Sequence, residues 1–414
     1  MGLSMLPSQL SPIAVDVGTA SIKVLQVVLG EVPSLHATAE LEVPDPVRID
    51  VEKRARFLKT ELPGLFRAHG FRGRRVVCAP LATQVLVRPV QVERTDPLGQ
   101  HALAGAELEA QLERMPGSLV FRSQPIASST REGRAVSELL CWAMTREDSM
   151  RYVELFRSFR YRLVGLHPQV LSIAGAFPHL NRRSGDASAC SMYVDLGWGG
   201  MKVAITHGEE LVFAKQVQIG GRQLDELIAE RSGTDTFTAR IRRIDECVNG
   251  DGIRPSTARE PVPHPGGLAM LRAGLAKDGG STAVGPGPAT STTGERRGPG
   301  IIPDPGSPDG ALLVASEDCS ELLESMSDEL AMCVRHHARL FPGRGIDRLI
   351  FLGGESRNTG LCRGLARSLH VPAQLGDPLA RFAAGPHDPM LPEPGRASPS
   401  WGSACGLCTA PVDL

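Results

Sequence analysis

With 414 residues, 42% hydrophobic and 22% charged, the chain is long enough for two lobes and has the profile of a globular rather than a disordered or membrane-spanning protein. A formal net charge of -1 excludes a global field that would draw it to nucleic acid or to an anionic bilayer, so its partners are recognised locally. Nine cysteines, an odd count at irregular spacing, exclude a secreted disulfide framework and suit reduced core thiols in a reducing compartment.

The first residues, Met1 to Leu6, lack a basic region followed by an apolar one, and no run approaches the ~20 apolar residues of a spanning helix. The end at Ala410 to Leu414 carries no basic amphipathic anchor. The expectation is a cytoplasmic chain that reaches a membrane only through partners.

Ile13-Ala14-Val15 and Ile22 to Val28 read as the arms of a β-hairpin around an Asp16-Val17-Gly18-Thr19 turn. A strand near Leu35 to Val43, a helix over Val51 to His69 and a buried strand at Arg75 to Ala79 complete a first lobe. Strand, helix, two strands and helix then follow between about Gln84 and Leu166 as a compact insertion. Its central hairpin turns at Arg131-Glu132-Gly133-Arg134. A helix after Pro168 leads back out of it.

Met192 to Ile205 then repeats the opening of the chain. Laid under Val15-Asp16-Val17-Gly18, the stretch Val194-Asp195-Leu196-Gly197 matches, and Lys202-Val203 falls where Lys23-Val24 does, with no gap. An internal repeat of a whole strand-turn-strand unit implies two related lobes. From Asn249 to Gly310 the composition shifts to Pro, Gly, Ser, Thr and Ala, which predicts a disordered loop. A helix from about Ser316 to Leu340, a strand at Arg348 to Leu352, a glycine turn at Gly353-Gly354 and a helix near Gly360 to Leu369 close the second lobe.

An Asp-x-Gly hairpin sets a carboxylate beside exposed backbone N–H groups. Glycine lets the chain approach a phosphate, and the acid can hold Mg²⁺ through water. Two such turns face to face would grip a polyphosphate from both sides, with Lys23 adding a positive charge. A single Asp-x-Gly is an ordinary hairpin turn; the repeat plus the glycine turn before a helix is a pattern.

That order of turns is the signature of the actin, Hsp70 and sugar-kinase superfamily, and its details resemble the PilM family of type IV pilus assembly proteins. Val15 to Val24 is similar to the first phosphate motif, Val194 to Gly197 to the second, and Ile350-Phe351-Leu352-Gly353-Gly354-Glu355-Ser356 to the adenosine motif. Gly220-Gly221-Arg222-Gln223-Leu224 resembles the turn after the second hairpin, and Trp401 to Leu407 the final helix. The resemblance covers nearly the whole chain outside the proline-rich stretch.

It implies an α/β, actin-like (ribonuclease H-like) two-lobe fold with an inserted small α+β subdomain. Residues 11–83 and 165–185 form the first lobe, 84–164 the insertion, 186–248 and 312–410 the second lobe, and 249–311 the loop. It further implies ATP and Mg²⁺ bound by Asp16, Gly18, Thr19, Lys23, Asp195, Gly197, Gly220, Gly221, Gly353, Gly354 and Ser356, with Asp16 and Asp195 holding the metal through water. The partner implied is the cytoplasmic tail of a PilN-like inner-membrane protein, with self-association into a ring or filament alongside.

Two parts of the site depart from the family. Trp198, Gly200 and Met201 stand at the second phosphate turn, where small and hydroxyl residues are usual. Arg240 stands on the ribose helix, where a glutamate is usual. Both weigh against tight nucleotide binding, and no residue is singled out to position a hydrolytic water. The alternatives are a degenerate scaffold without nucleotide and an FtsA-like filament protein, which should carry a membrane-binding terminal helix. A metabolite kinase would need an aspartate base and a larger insertion, which the sequence does not offer.

The remaining conspicuous residues have plain readings. His336-His337 reads as a solvated helix end, Arg72, Arg74 and Arg75 as a solvated turn, and Arg240, Arg242 and Arg243 as a face turned to water. Cys405 and Cys408 read as part of a small-residue helix packed on a sheet.

Overall fold

The computed structural model describes residues 9–131, 133–181, 185–250, 320–382 and 397–412. Apart from Asn249 and Gly250, the proline-rich stretch lies outside the described residues.

Every residue of β2 (Ile13–Val17) is buried, as an apolar strand covered on both faces requires. β1 (Gln9–Leu10) and β4 (Ser34–Glu42) both pair with β3 (Ser21–Leu29), which returns along β2 in antiparallel register. Asp16 therefore lies inside the strand, opposite Lys23, and the turn proper begins after Val17. The ladder rather than a mobile tip holds this carboxylate.

After α1 (Asp45–Arg48), α2 (Val51–Ala68) starts under an Asp50 cap that accepts from the Lys53 N–H. Its buried stripe is Arg54, Leu58, Leu62 and Phe66, a strict four-residue spacing with an arginine in the first position. β5 (Arg75–Ala79) then lies parallel to β2, and β9 (Arg162–Leu166) parallel to β5.

Between β5 and β9 the chain builds a separate three-stranded sheet. β6 (Leu86–Glu93) and β7 (Leu119–Arg131) flank β8 (Arg134–Thr145), and α3 (Pro97–Gln111) packs on it through Ala104 and Leu108. α4 (Arg146–Ser158) leads back to β9.

After α5 (Gln169–Ala174) the second lobe repeats the first strand for strand. β12 (Glu210–Val217), β11 (Gly200–His207) and β10 (Cys190–Gly197) form an antiparallel meander, and β13 (Arg348–Leu352) and β14 (Ala373–Leu375) continue it in parallel. The order β12-β11-β10-β13-β14 mirrors β4-β3-β2-β5-β9. α6 (Gly221–Ser232), α7 (Thr236–Gly250), α8 (Ser320–Leu340) and α9 (Thr359–Leu369) belong to this half.

The two halves meet where α5 crosses α10 (Gly402–Leu407), all six of whose residues are buried. A Cβ built on Gly406 would overlap the carbonyl of Ser172, so only glycine permits this crossing. Val170, Ile173, Leu352, Trp401, Ala404 and Cys405 share one core there with strands of both lobes. Cys405 and Cys408 are buried free thiols, and burial pushes Cys408 up to about 12.

One plain reading fails here. His337 is not at a solvated helix end: it is 1% exposed and lies against His207. The buried stripe of α8 is Met326, Leu330, Cys333 and His337, at intervals of four, three and four, so the helical phase carries this histidine into the core. Burial, and then the neighbouring His207, lower its pKa to about 4.

Candidate functional site

The β2–β3 hairpin presents Asp16 to a cleft between the lobes, and the β10–β11 hairpin presents Asp195 to the same cleft. The registers Asp16↔Lys23 and Asp195↔Lys202 make the two halves alike down to the cross-strand lysine. Beyond that the halves differ. Lys202 Nζ lies 3.3 Å from Asp195 Oδ2, whereas Lys23 Nζ turns to Glu40 Oε1 at 2.9 Å and donates to Ser21 Oγ at 2.6 Å. Asp16 Oδ1 instead accepts from Gln169 Nε2 at 2.6 Å.

Asp16 is 7% exposed, and burial pushes its pKa up to about 6; Lys23 and Lys202 oppose the rise, and Asp195 adds to it. Two carboxylates facing one cleft suit a divalent ion bound through water.

Bare backbone supplies the rest. Arg54, at the head of the α2 stripe, donates to the carbonyls of Gly18 and Thr19 and braces the first turn from beneath. A Cβ on Gly18 would lie 2.6 Å from the Ser21 carbonyl oxygen, and one on Gly199 2.6 Å from Thr19 Oγ1. Gly353 has φ +88°, and a Cβ there would lie 2.5 Å from Asp195 Oδ1. These glycines bring three chain segments closer than any side chain would permit.

Of the eleven candidate residues, Asp16, Gly18, Thr19, Lys23, Asp195, Gly197, Gly353 and Gly354 line the cleft. Gly220, Gly221 and Ser356 do not. Gly220 packs under the second turn against Gly197 and Gly200, and Gly221 packs against the Glu355 side chain. Ser356 is buried and donates to the Gly353 carbonyl at 2.7 Å, fixing the glycine turn.

Sequence reasoning omitted Lys202, Gln169, Glu40, Glu355 and Arg243, which also line the cleft. Lys202 was legible from its offset in the repeat. The others lie on segments whose meeting only the tertiary fold reveals.

The arginine patch is not a solvated face. Arg243 is buried, its Nε donating to Asp225 Oδ1 at 2.7 Å and its Nη2 to Glu355 Oε1 at 3.3 Å. Arg240 reaches across the cleft, 3.2 Å from Asp45 Oδ1 and 3.6 Å from Glu42 Oε1. Each is surrounded by carboxylates, which is why neither turns to water. Only Arg242 of the three is exposed.

The Trp198 indole does not fill the cleft. Its Nε1 donates to Asp225 Oδ2 at 2.7 Å, and the Arg48 guanidinium lies 4.9 Å from its centroid, so the ring forms part of the wall. A cavity of about 540 Å³ remains, within the size range of small-ligand sites.

No family model and no curated protein matches the sequence. Solved structures do match its fold. One titled "PilM-PilN type IV pilus biogenesis complex" aligns with 97% of this chain and 98% of its own at a TM-score of 0.67 and 18% identity. The ethanolamine utilization protein EutJ from Carboxydothermus hydrogenoformans aligns with 98% of this chain and 91% of its own, at 0.45 and 12%. MreB5 of Spiroplasma citri bound to AMPPNP aligns with 91% and 95%, at 0.42 and 12%.

The chain therefore has the actin-like fold, two related α/β lobes with a small inserted subdomain. Within that fold, its architecture follows that of PilM along nearly its whole length.

Proposed function

We propose that this protein is a scaffold of type IV pilus assembly, or of the related type II secretion machinery, that binds ATP with Mg²⁺ between its lobes. It captures the cytoplasmic tail of a PilN-like inner-membrane protein. The observation that carries the reading is the pair of acidic hairpins, Asp16 and Asp195, facing one cleft in a chain that follows PilM in fold from end to end.

In this reading the backbone at Gly18, Thr19, Gly197 and Gly353-Gly354 cradles phosphates, with Lys23 and Lys202 as counter-charges. Asp16 and Asp195 hold the ion through water. Gly220, Gly221 and Ser356 shape these turns from beneath. ATP acts as a conformational ligand that sets the angle between the lobes, and turnover is not required of it.

The tail docks between the first lobe and the inserted subdomain, and the protein stays in the cytoplasm, held at the inner membrane through that partner. Among the described residues no helix is long and apolar enough to cross a membrane. Pull-down of the purified chain by an immobilised N-terminal tail of a PilN-like protein tests the capture. Retention by wild type and loss on deleting the separate three-stranded sheet with its helix, residues 86–145, is expected; retention by the deleted chain overturns the docking site.

A second reading is a scaffold that has given up nucleotide. It is favoured by Arg240, which already spans the cleft to Glu42 and Asp45 from the helix that would reach the ribose. Nucleotide calorimetry separates the two.

A further inference from the structure

Away from the cleft, at the opposite end of β10 from Asp195, three potential ligand side chains converge. Cys190 opens β10, His207 closes β11, and the two are direct cross-strand partners, so they share one face of the hairpin base. His337 comes down on them from the last turn of α8. His207 Nε2 and His337 Nε2 lie 2.9 Å apart, and Cys190 Sγ lies 3.6 Å from His337 Nε2. One ligand atom from each residue lies within 4.8 Å of the other two, and all three residues are buried.

We propose that Cys190, His207 and His337 bind a zinc ion. Bond lengths of about 2.3 Å to sulfur and about 2.0–2.1 Å to nitrogen at tetrahedral angles set the N···N edge at about 3.3 Å and the S···N edge at about 3.6 Å. The observed separations lie within a few tenths of an ångström of these. A thiolate with two imidazoles is a donor set that selects zinc over magnesium or calcium.

Both imidazoles aim Nε2 at each other, so one must supply a hydrogen and the other a lone pair. His337 Nδ1 is buried with no partner, so every polar contact of this ring points into the cluster. Zinc gives both Nε2 lone pairs and the thiolate a common partner, and binding releases the Cys190 thiol proton to solvent.

Two charged groups border the site. Arg344 Nη1 lies 2.5 Å from His207 Nδ1, a contact that a zinc-bound His207 carrying its proton on Nδ1 would push away; Arg344 is exposed and free to turn outward. Asp347, exposed on the other side, accepts from the Cys190 N–H at 2.7 Å. The ion would tie the end of α8 to the base of the hairpin that carries Asp195. Nothing in this inference depends on nucleotide.

The test is to strip the full-length protein with a chelator and titrate it with Co²⁺, then Zn²⁺. One Co²⁺ per chain with a thiolate-to-cobalt charge-transfer band, displaced by Zn²⁺, is expected. So is a rise in Tm with Zn²⁺ that Cys190→Ser and His337→Gln both lose. Absence of the band in the wild type, which needs no variant to interpret, overturns the proposal. Equal metal uptake and stabilisation in the variants does the same.

Discussion

Thr19 and Gly199 touch across the cleft: a methyl group placed on Gly199 would sit 2.6 Å from the Thr19 hydroxyl oxygen. The two hairpin tips, 180 positions apart in the chain by their numbers, are thus in van der Waals contact. That contact fixes how far apart Asp16 and Asp195 stand.

Filling it should separate the tips. Gly199→Val is expected to cost about 1–3 kcal/mol of stability, the usual range for overpacking, and Thr19→Gly in the same chain should restore most of it. Urea unfolding of the two single variants and the double variant measures the coupling. Additive losses would show that the tips do not meet.

The pH dependence of stability follows from Asp16. Its native pKa of about 6 exceeds the ordinary 3.8, so the native state keeps a proton that the unfolded chain gives up. The stability of the neutral form is complete below about pH 4 and is lost as pH rises through about 6. Asp16→Asn, which can still accept from Gln169, should match wild type near pH 3 and exceed it at pH 8 by up to about 3 kcal/mol without ligand. Thermal melts across that range check it, and a wild type more stable than the variant at pH 8 would contradict the assignment.

How much of this was readable in the residues alone differs from place to place. The Asp-x-Gly repeat with its offset lysine was legible because a hairpin keeps its spacing in sequence, and so gave both the two-lobe fold and most of the cleft. Arg243, Asp225 and Glu355 were not, because they come from three elements that only the packing of α6 and α7 against the glycine turn brings together. His337 lay between these cases. Adjacent histidines suggested a wet helix end, while the interval from Met326 through Leu330 and Cys333 already placed the second one on the apolar face.

Arg243 holds two carboxylates, Asp225 buried at 3% and Glu355 half-buried at 14% side-chain exposure. Removing it alone leaves both uncompensated. Arg243→Met is expected to cost about 3–5 kcal/mol, and adding Asp225→Asn with Glu355→Gln should recover at least half. A single variant within about 0.5 kcal/mol of wild type would show that the network contributes little.

The crossing of α5 and α10 makes a sharper demand. With the Ser172 carbonyl where a Cβ of residue 406 would go, Gly406→Ala must move backbone, and Gly406→Val must move it further. Losses of about 1–3 kcal/mol for alanine and more for valine are expected in urea unfolding. Alanine without effect would mean that the helices are not in this contact.

The most direct test of the cleft is calorimetry with Mg-ATP on wild type and Asp16→Ala. Saturable binding by wild type at one site per chain, weakened at least tenfold or lost in the variant, is the result the account requires. Equal affinity in the two proteins, or no binding by wild type, contradicts it.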